Sequence, residues 1–301
     1  MSDAAPKGWL AAGEKGAVLG IRFVLWLCTA FGRGAARAFV ALLALYYVTA
    51  HGSVRRASRA YLTRVHGRAS FGDAYRHVLR FAHCVVDRVF LLRGRTDLFT
   101  LESHGTEHLA AARDAGRGAV LLGAHLGSFE ALRAQAAARR YPLNIVGYFK
   151  NARMINEALR TVSPDHEVRV VHIDPERMDY VLALKERVER GEFVAILADR
   201  AELSKRSAEV ELLGGKVRLP TGPYLLASML KCPVFLTFGV FREPDRYELY
   251  CEPFADPLAV DRRDREGDLA RWAARYAARL EHYARMAPDN WFNFYDYWGD
   301  A

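Results

Sequence analysis

Ala119-Val120-Leu121-Leu122-Gly123-Ala124-His125-Leu126-Gly127-Ser128-Phe129-Glu130 reads as a strand, a tight turn and the start of a helix. Its first four residues are apolar without alternation, the pattern of a strand buried on both faces. His125 falls two residues past that strand. Ligands in open α/β sheets sit beyond the carboxyl ends of the strands, so the histidine stands where chemistry is expected. A carboxylate follows five positions later. His125 is suited to remove a proton from a hydroxyl, and Glu130 to hold the imidazole and stabilise its charged form. A plainer role for Glu130 stays open. Gly127 or Ser128 is the expected helix cap, and with Gly127 in that place Glu130 falls at the third helical position, where capping alone favours a glutamate. The first-turn amides near Gly127 and Ser128 could bind an anion or stabilise the oxyanion of an acyl-transfer intermediate.

Outward from this stretch, strands are predicted near 98–102, 118–123, 143–149, 168–173, 193–198, 208–213, 233–240 and 246–252. Helical patterns fall near 70–93, 105–115, 128–140, 153–160, 176–190, 221–231 and 268–286. This alternation predicts an α/β fold with a mostly parallel central sheet flanked by helices. Its 301 residues suffice for one large α/β domain plus an appendage. The expected division is a basic helical region at 1–70 and an α/β domain at 71–301.

Charge separates the same two regions. Residues 1–70 carry ten Lys and Arg against Asp3 and Glu14, which accounts for the whole net charge of +8. Residues 17–31 are apolar except for Arg22, residues 38–50 are apolar throughout, and Gly32-Arg33-Gly34 lies between. Each run is shorter than the roughly 20 residues that cross a bilayer. A hairpin that dips into one leaflet or lies at its surface fits better. Trp9, Trp26, Tyr46 and Tyr47 suit the interface, and arginines on a helix at 53–66 suit lipid phosphates. Packing of both helices on the main domain is the plainer alternative. A cleaved signal peptide is not expected, because a long mixed-charge segment with Glu14 precedes the first apolar run. Aliphatic runs between the arginines argue against nucleic acid as the partner. Cys28, Cys84, Cys232 and Cys251 match no metal spacing and read as free thiols. His104 and His108 are four apart, but Gly105 interrupts their helix and a third ligand is missing. Gly127-Ser128 lacks the Gly-x-Ser-x-Gly frame of a serine hydrolase.

From Glu102 onward the chain resembles the lysophospholipid acyltransferase superfamily, and within it the lipid A biosynthesis acyltransferase branch. The His-x4-Asp/Glu motif of that family matches His125 and Glu130. Gly105-Thr106-Glu107-His108-Leu109 and Gly116 through Gly123 resemble the approach to it. Gly147-Tyr148-Phe149-Lys150-Asn151 resembles the second block, Ala198-Asp199-Arg200 the third, and Leu212 through Pro223 the fourth. Ser128 stands where the lipid A enzymes often carry an aromatic residue or asparagine, and Asp199-Arg200 where Asp-Gln or Asp-His is common.

The resemblance implies an enzyme that moves a fatty acyl chain from an acyl thioester, on acyl carrier protein or coenzyme A, to a hydroxyl or amine. The acceptor would be a membrane lipid or glycolipid such as a lipid A precursor. It implies His125 as general base and Glu130 as its orienting partner. Lys150 and Arg200 become candidates for the acceptor's phosphate or the donor's phosphopantetheine, with a solvated charge or surface ion pair as the alternative. Asp199 is a candidate to orient substrate or to pair with Arg200. Glu209 and Glu211 share a strand face that is either exposed or turned to the cleft. Thr221, with Gly222, could offer helix amides to an anion or serve only as a cap. No cofactor or metal is expected beyond the thioester co-substrate. The expected location is the cytoplasmic face of a bacterial inner membrane, monotopic or anchored by the single hairpin. The aromatic C-terminus, Pro288 through Trp298, reads as core packing or as lipid contact. The alternative, a non-catalytic membrane-surface protein that binds lipid or a partner enzyme, explains the hairpin and basic helix and does not need His125 and Glu130 to face one cleft. A glycosyltransferase lacks a nucleotide-binding fingerprint.

Overall fold

The computed structural model describes residues 14–147, 169–172, 179–201 and 206–299. The predicted helix at 153–160 lies outside them. The described residues form nine α-helices and nine strands.

The strands are β1 (Thr100–His104), β2 (Ala119–Gly123), β3 (Leu143–Gly147), β4 (Arg169–His172), β5 (Phe193–Leu197), β6 (Ser207–Leu212), β7 (Gly215–Pro220), β8 (Val234–Arg242) and β9 (Arg246–Ala255). Seven make one sheet in the order β1-β9-β8-β2-β5-β3-β4. Every neighbouring pair in it is parallel except β8 with β9, which form an antiparallel hairpin. The predicted mostly parallel sheet is therefore present.

β2 lies in the middle, and all five of its residues are buried. Val120 and Leu122 join one core, with Val194, Ile196 and Leu236 of the neighbouring strands. Helices α7 (Asp179–Glu189), α8 (Gly222–Leu230) and α9 (Arg265–Met286) cover this face through Leu184, Tyr224 and Tyr276. Ala119 and Leu121 join the other core, with Phe193, Ala195 and Phe235. Here α5 (Glu107–Asp114) and α6 (Phe129–Ala138) supply Leu109 and Phe129. Two covered faces are why this strand has to be apolar throughout.

β7 is not among the predicted strands; its residues fall in the stretch that resembles the family's fourth block. It pairs with β6 as a separate hairpin. Leu213 (φ 52°) and Gly214 (φ 69°) turn the chain with positive φ at both central residues, a turn whose twist matches antiparallel strands. The Leu213 amide donates to Glu281 of α9 at 2.6 Å. Lys216 and Arg218 are exposed while Val217 and Leu219 are buried, a period-two pattern only two repeats long. Glu209 and Glu211 lie on the exposed face of β6, and Glu209 pairs with Lys216 at 2.7 Å.

The N-terminal helices are α1 (Glu14–Ala30), α2 (Gly32–Ala50) and α3 (Gly52–His66), followed by α4 (Phe71–Leu92). The predicted break at residues 32–34 has shrunk to Phe31. Arg33 is drawn into the first turn of α2 by Asp87 of α4, which it meets at 2.7 Å. α2 and α3 meet at a 94° bend. No single described helix is long and apolar enough to cross a membrane. Ser70 and Asp73 start α4 with a reciprocal capping box, the Ser70 amide donating to Asp73 at 2.7 Å. Packing of α2 on α4 buries Ala36, Val40, Ala44 and Val48 along one face of α2. Its other face stays apolar and exposed, with Leu42 69% and Phe31 63% accessible, beside Phe23, Trp26, Tyr46 and Tyr47. The four cysteines are unpaired and buried.

Candidate active site

β2 and β5 run side by side in parallel, with Gly123 opposite Leu197. His125 and Asp199 each lie two residues beyond that pair, so matching strand ends carry them to the same spot. His125 Nδ1 lies 2.9 Å from Asp199 Oδ1. A carboxylate only accepts, so Nδ1 carries the proton and donates. The tautomer so fixed leaves Nε2 with a free lone pair. The His125 side chain is 34% exposed, whereas that of Asp199 is 1% exposed.

Asp199 is held from three directions. Its Oδ2 accepts from the His125 backbone amide and from Trp291 Nε1, each at 3.0 Å. Its own carbonyl oxygen accepts from the Tyr297 hydroxyl. Burial alone would raise its pKa. The His125 imidazole and its hydrogen bond, Arg200 and the Trp291 N–H outweigh that and hold it below the ordinary carboxylate range. Asp199 is therefore a buried anion.

The loop that carries His125 is clamped on both sides. Gly127 has φ +70° and bridges to Gly239 of β8. A Cβ on Gly127 would stand 1.8 Å from the Gly239 oxygen, and one on Gly239 would stand 2.4 Å from the Ser128 oxygen. Only glycine pairs with glycine at that approach. On the opposite side lies the C-terminal segment. The Gly127 amide donates to Asn290 O at 2.7 Å, and the Phe292 amide to His125 O at 2.8 Å. Asn290 is buried and binds Phe241 of β8 through both its amide oxygen and nitrogen. Trp291, 1% exposed, is held in turn by His77 of α4, whose Nε2 donates to the Trp291 carbonyl at 2.9 Å. Ser58 of α3 donates to the other ring nitrogen. Burial pushes His77 down to about 4, so this histidine is neutral. The aromatic C-terminus is thus core packing with a hydrogen-bonding edge toward the site.

Several expectations change. Glu130 is paired with Arg88 of α4 at 2.9 Å, and His125 is oriented by Asp199 instead. The reason lies in the cap. Ser128 is the N-cap of α6, accepting from the Ala131 amide at 3.2 Å. Glu130 then sits at the second helical position and reaches across to α4. The Gly127 and Ser128 amides, expected as anion donors, are occupied by Asn290 O and Gly239 O, both at 2.7 Å. Arg200 donates to Phe292 O at 3.0 Å and lies over the Tyr295 ring. It braces the C-terminal segment rather than standing free for a phosphate. Thr221 is buried ahead of α8, and its amide donates to Arg206 O at 3.1 Å. Among the described residues no hydrogen bond joins it to the His125–Asp199 pair. Lys150 lies outside the described residues. His104 and His108 stack on Tyr250 and Phe235, and among the described residues no cluster of three or more metal-ligating side chains occurs.

A narrow apolar cleft lies between α6 and the sheet. Its lining includes Leu109, Leu121, Phe129, Leu143, Phe193 and Thr237. Neither His125 nor Asp199 lines it.

A mostly parallel α/β sheet thus carries a buried carboxylate behind a partly exposed histidine at the carboxyl ends of two adjacent strands. The family model described as bacterial lipid A biosynthesis acyltransferase matches residues 10–299, and the chain belongs to that family. It is accordingly an acyltransferase. A search of the curated proteins returns no match.

Proposed function

We propose that this protein transfers a fatty acyl chain from an acyl thioester to a hydroxyl, or an amine, of a membrane lipid such as a lipid A precursor. The donor is an acyl carrier protein or coenzyme A thioester. The 2.9 Å contact between His125 Nδ1 and Asp199 Oδ1 carries the mechanism. His125 Nε2 takes the acceptor's proton as the oxygen attacks the thioester carbon. The tetrahedral intermediate collapses with cleavage of the C–S bond, and the departing thiolate recovers that proton from His125. The products are the acylated lipid and a free thiol. Asp199 remains ionised throughout and stabilises the transient imidazolium. The cleft beneath α6 is suited to the acyl chain because its lining, with Leu121, Phe129 and Phe193, is apolar.

The exposed faces of α1 and α2 sit in the outer part of the leaflet. Among their residues with described side chains the exposed ones are apolar apart from Thr29, Thr49 and the one charge, Arg22. Beyond the 94° bend, α3 presents Arg56 and Arg59 to solvent, where anionic headgroups would meet them. This arrangement supports a location on the cytoplasmic face of the inner membrane, held at the leaflet surface by the hairpin. Lipid mass spectrometry of cells with and without the gene tests the proposal. A lipid that gains one acyl chain only when the gene is present supports it and names the acceptor. Identical lipid profiles with the protein abundantly expressed would refute it.

A further inference from the structure

α4 and α6 build a second charged cluster that the His125–Asp199 pair does not use. Glu130, 14% exposed, meets Arg88 at 2.9 Å. Arg133 follows Glu130 by three residues and so shares its face of α6. Its Nε is buried with no hydrogen-bond partner, and it makes no ion pair among the described residues. Burial lowers the pKa of Arg133; Glu130 offsets this in part, and Arg88 adds to it by repulsion. Arg88 takes the one carboxylate and Arg133 has no ion-pair partner among the described residues, leaving an excess positive charge in a partly desolvated place. Such a charge is costly to the fold unless an anion joins it.

The surroundings indicate what kind of anion. Val85 and Phe81 precede Arg88 on α4 by three and seven residues, on the same face, and both are exposed. Phe81 packs on Phe292 with ring centres 5.3 Å apart, and the Phe292 amide bonds the His125 carbonyl. The cluster thus lies at one end of an apolar strip that leads to the catalytic loop. A carboxylate is already supplied by Glu130. The remaining guanidinium donors suit a group with several acceptor oxygens that two arginines can share.

We propose that Arg88 and Arg133, spaced by Glu130, bind the phosphate of an amphiphilic substrate while its apolar part lies toward Phe81 and Val85. The site deepens the acyl-transfer reading, which supplies two sources for that phosphate: the phosphodiester of a phosphopantetheine thioester donor, or a phosphate on the lipid acceptor. Glu130 is then a positioning residue for the arginines.

Isothermal titration of the full chain in detergent tests this with 4′-phosphopantetheine against pantetheine, and dihexanoyl phosphatidic acid against dihexanoylglycerol. One phosphate probe is expected to bind at least about tenfold more tightly than its phosphate-free counterpart, the size of one charge-assisted hydrogen bond. Arg133→Gln should remove that preference. A response to phosphopantetheine assigns the donor, and a response to phosphatidic acid assigns the acceptor. Arg133→Gln should also melt at the same or a higher temperature, because an uncompensated cation is gone; a lowered melting temperature would make Arg133 structural and overturn the proposal. Phosphate preference that is absent in the native protein, or that survives in Arg133→Gln, overturns it as well. His125→Ala keeps phosphate binding on this view, so failure of the phosphate site and failure of the acyl-transfer reading are separate results.

Discussion

Asp199→Asn is the most informative single change. The native carboxylate accepts from His125 Nδ1 at 2.9 Å through Oδ1, and from the His125 amide and Trp291 Nε1 at 3.0 Å through Oδ2. An asparagine has one oxygen for these three donors. Placed at the Oδ2 position it keeps two of them, and its NH2 group then faces Nδ1. The imidazole must answer by accepting there, which moves its proton to Nε2 and removes the base from the cleft. The opposite orientation sets the NH2 group against two donors and loses two bonds, so the first is preferred. Loss of the productive tautomer in a histidine–carboxylate pair lowers kcat by about 10³–10⁴, or roughly 4–5.5 kcal/mol of transition-state stabilisation. Thiol release from an acyl thioester, with the acylated lipid quantified by mass spectrometry, measures it directly. KM should change little, and raising the pH should not restore the rate. A variant that folds and keeps more than a tenth of native kcat would refute the assignment of Asp199. Glu130→Gln provides the contrast, and a 10³-fold fall there beside a mild effect at Asp199 would return the orienting role to Glu130.

Trp291→Phe keeps the ring and removes one donor to the buried Asp199 carboxylate; kcat should fall about tenfold or more with KM unchanged, and a native kcat would show that this N–H does not position the pair. Gly127→Ala forces a Cβ to within 1.8 Å of the Gly239 oxygen at φ +70°. It should cost about 3 kcal/mol or more of stability, read as a lowered unfolding midpoint; an unchanged midpoint would contradict the clamp. Burial pushes His77 down to about 4, and burial with Arg37, Arg80 and Arg33 pushes His83 down to about 3. Both titrate near 6.5 when unfolded, so unfolding takes up protons below that pH. Stability present above pH 6.5 is lost as pH falls toward the folded values, by about 2 kcal/mol for each histidine at pH 5. Urea unfolding at pH 7.5 and pH 5.0 should reveal the loss, and equal free energies would refute it.

The sheet was legible because its strands are short, unbroken apolar runs between clear turn signals, as in Ala119–Leu122 and Phe193–Leu197. β7 was not, since its alternation spans only two repeats. His125 was legible from its place after β2. Its partner was harder, because a pairing within one loop looks closer in sequence than one between neighbouring strands. The signal was present nonetheless: His125 and Asp199 follow their strands by two residues each, and adjacency of β2 and β5 turns equal offsets into contact. What the sequence could not supply was that adjacency, together with the cap at Ser128 that turns Glu130 toward Arg88. Trp291, 92 residues past Asp199, carries no local signal of its role beyond an aromatic-rich segment.

In the proposed mechanism His125 drives acyl transfer to a lipid as a general base. Purified native protein and His125→Ala, each in vesicles containing the acceptor found by lipid mass spectrometry, should be given an acyl thioester while free thiol and acylated lipid are counted together. The native protein should release one thiol per acyl chain transferred, and His125→Ala should work at least about 10³-fold more slowly at equal vesicle binding. Transfer at the native rate by a folded, membrane-bound His125→Ala protein would contradict it.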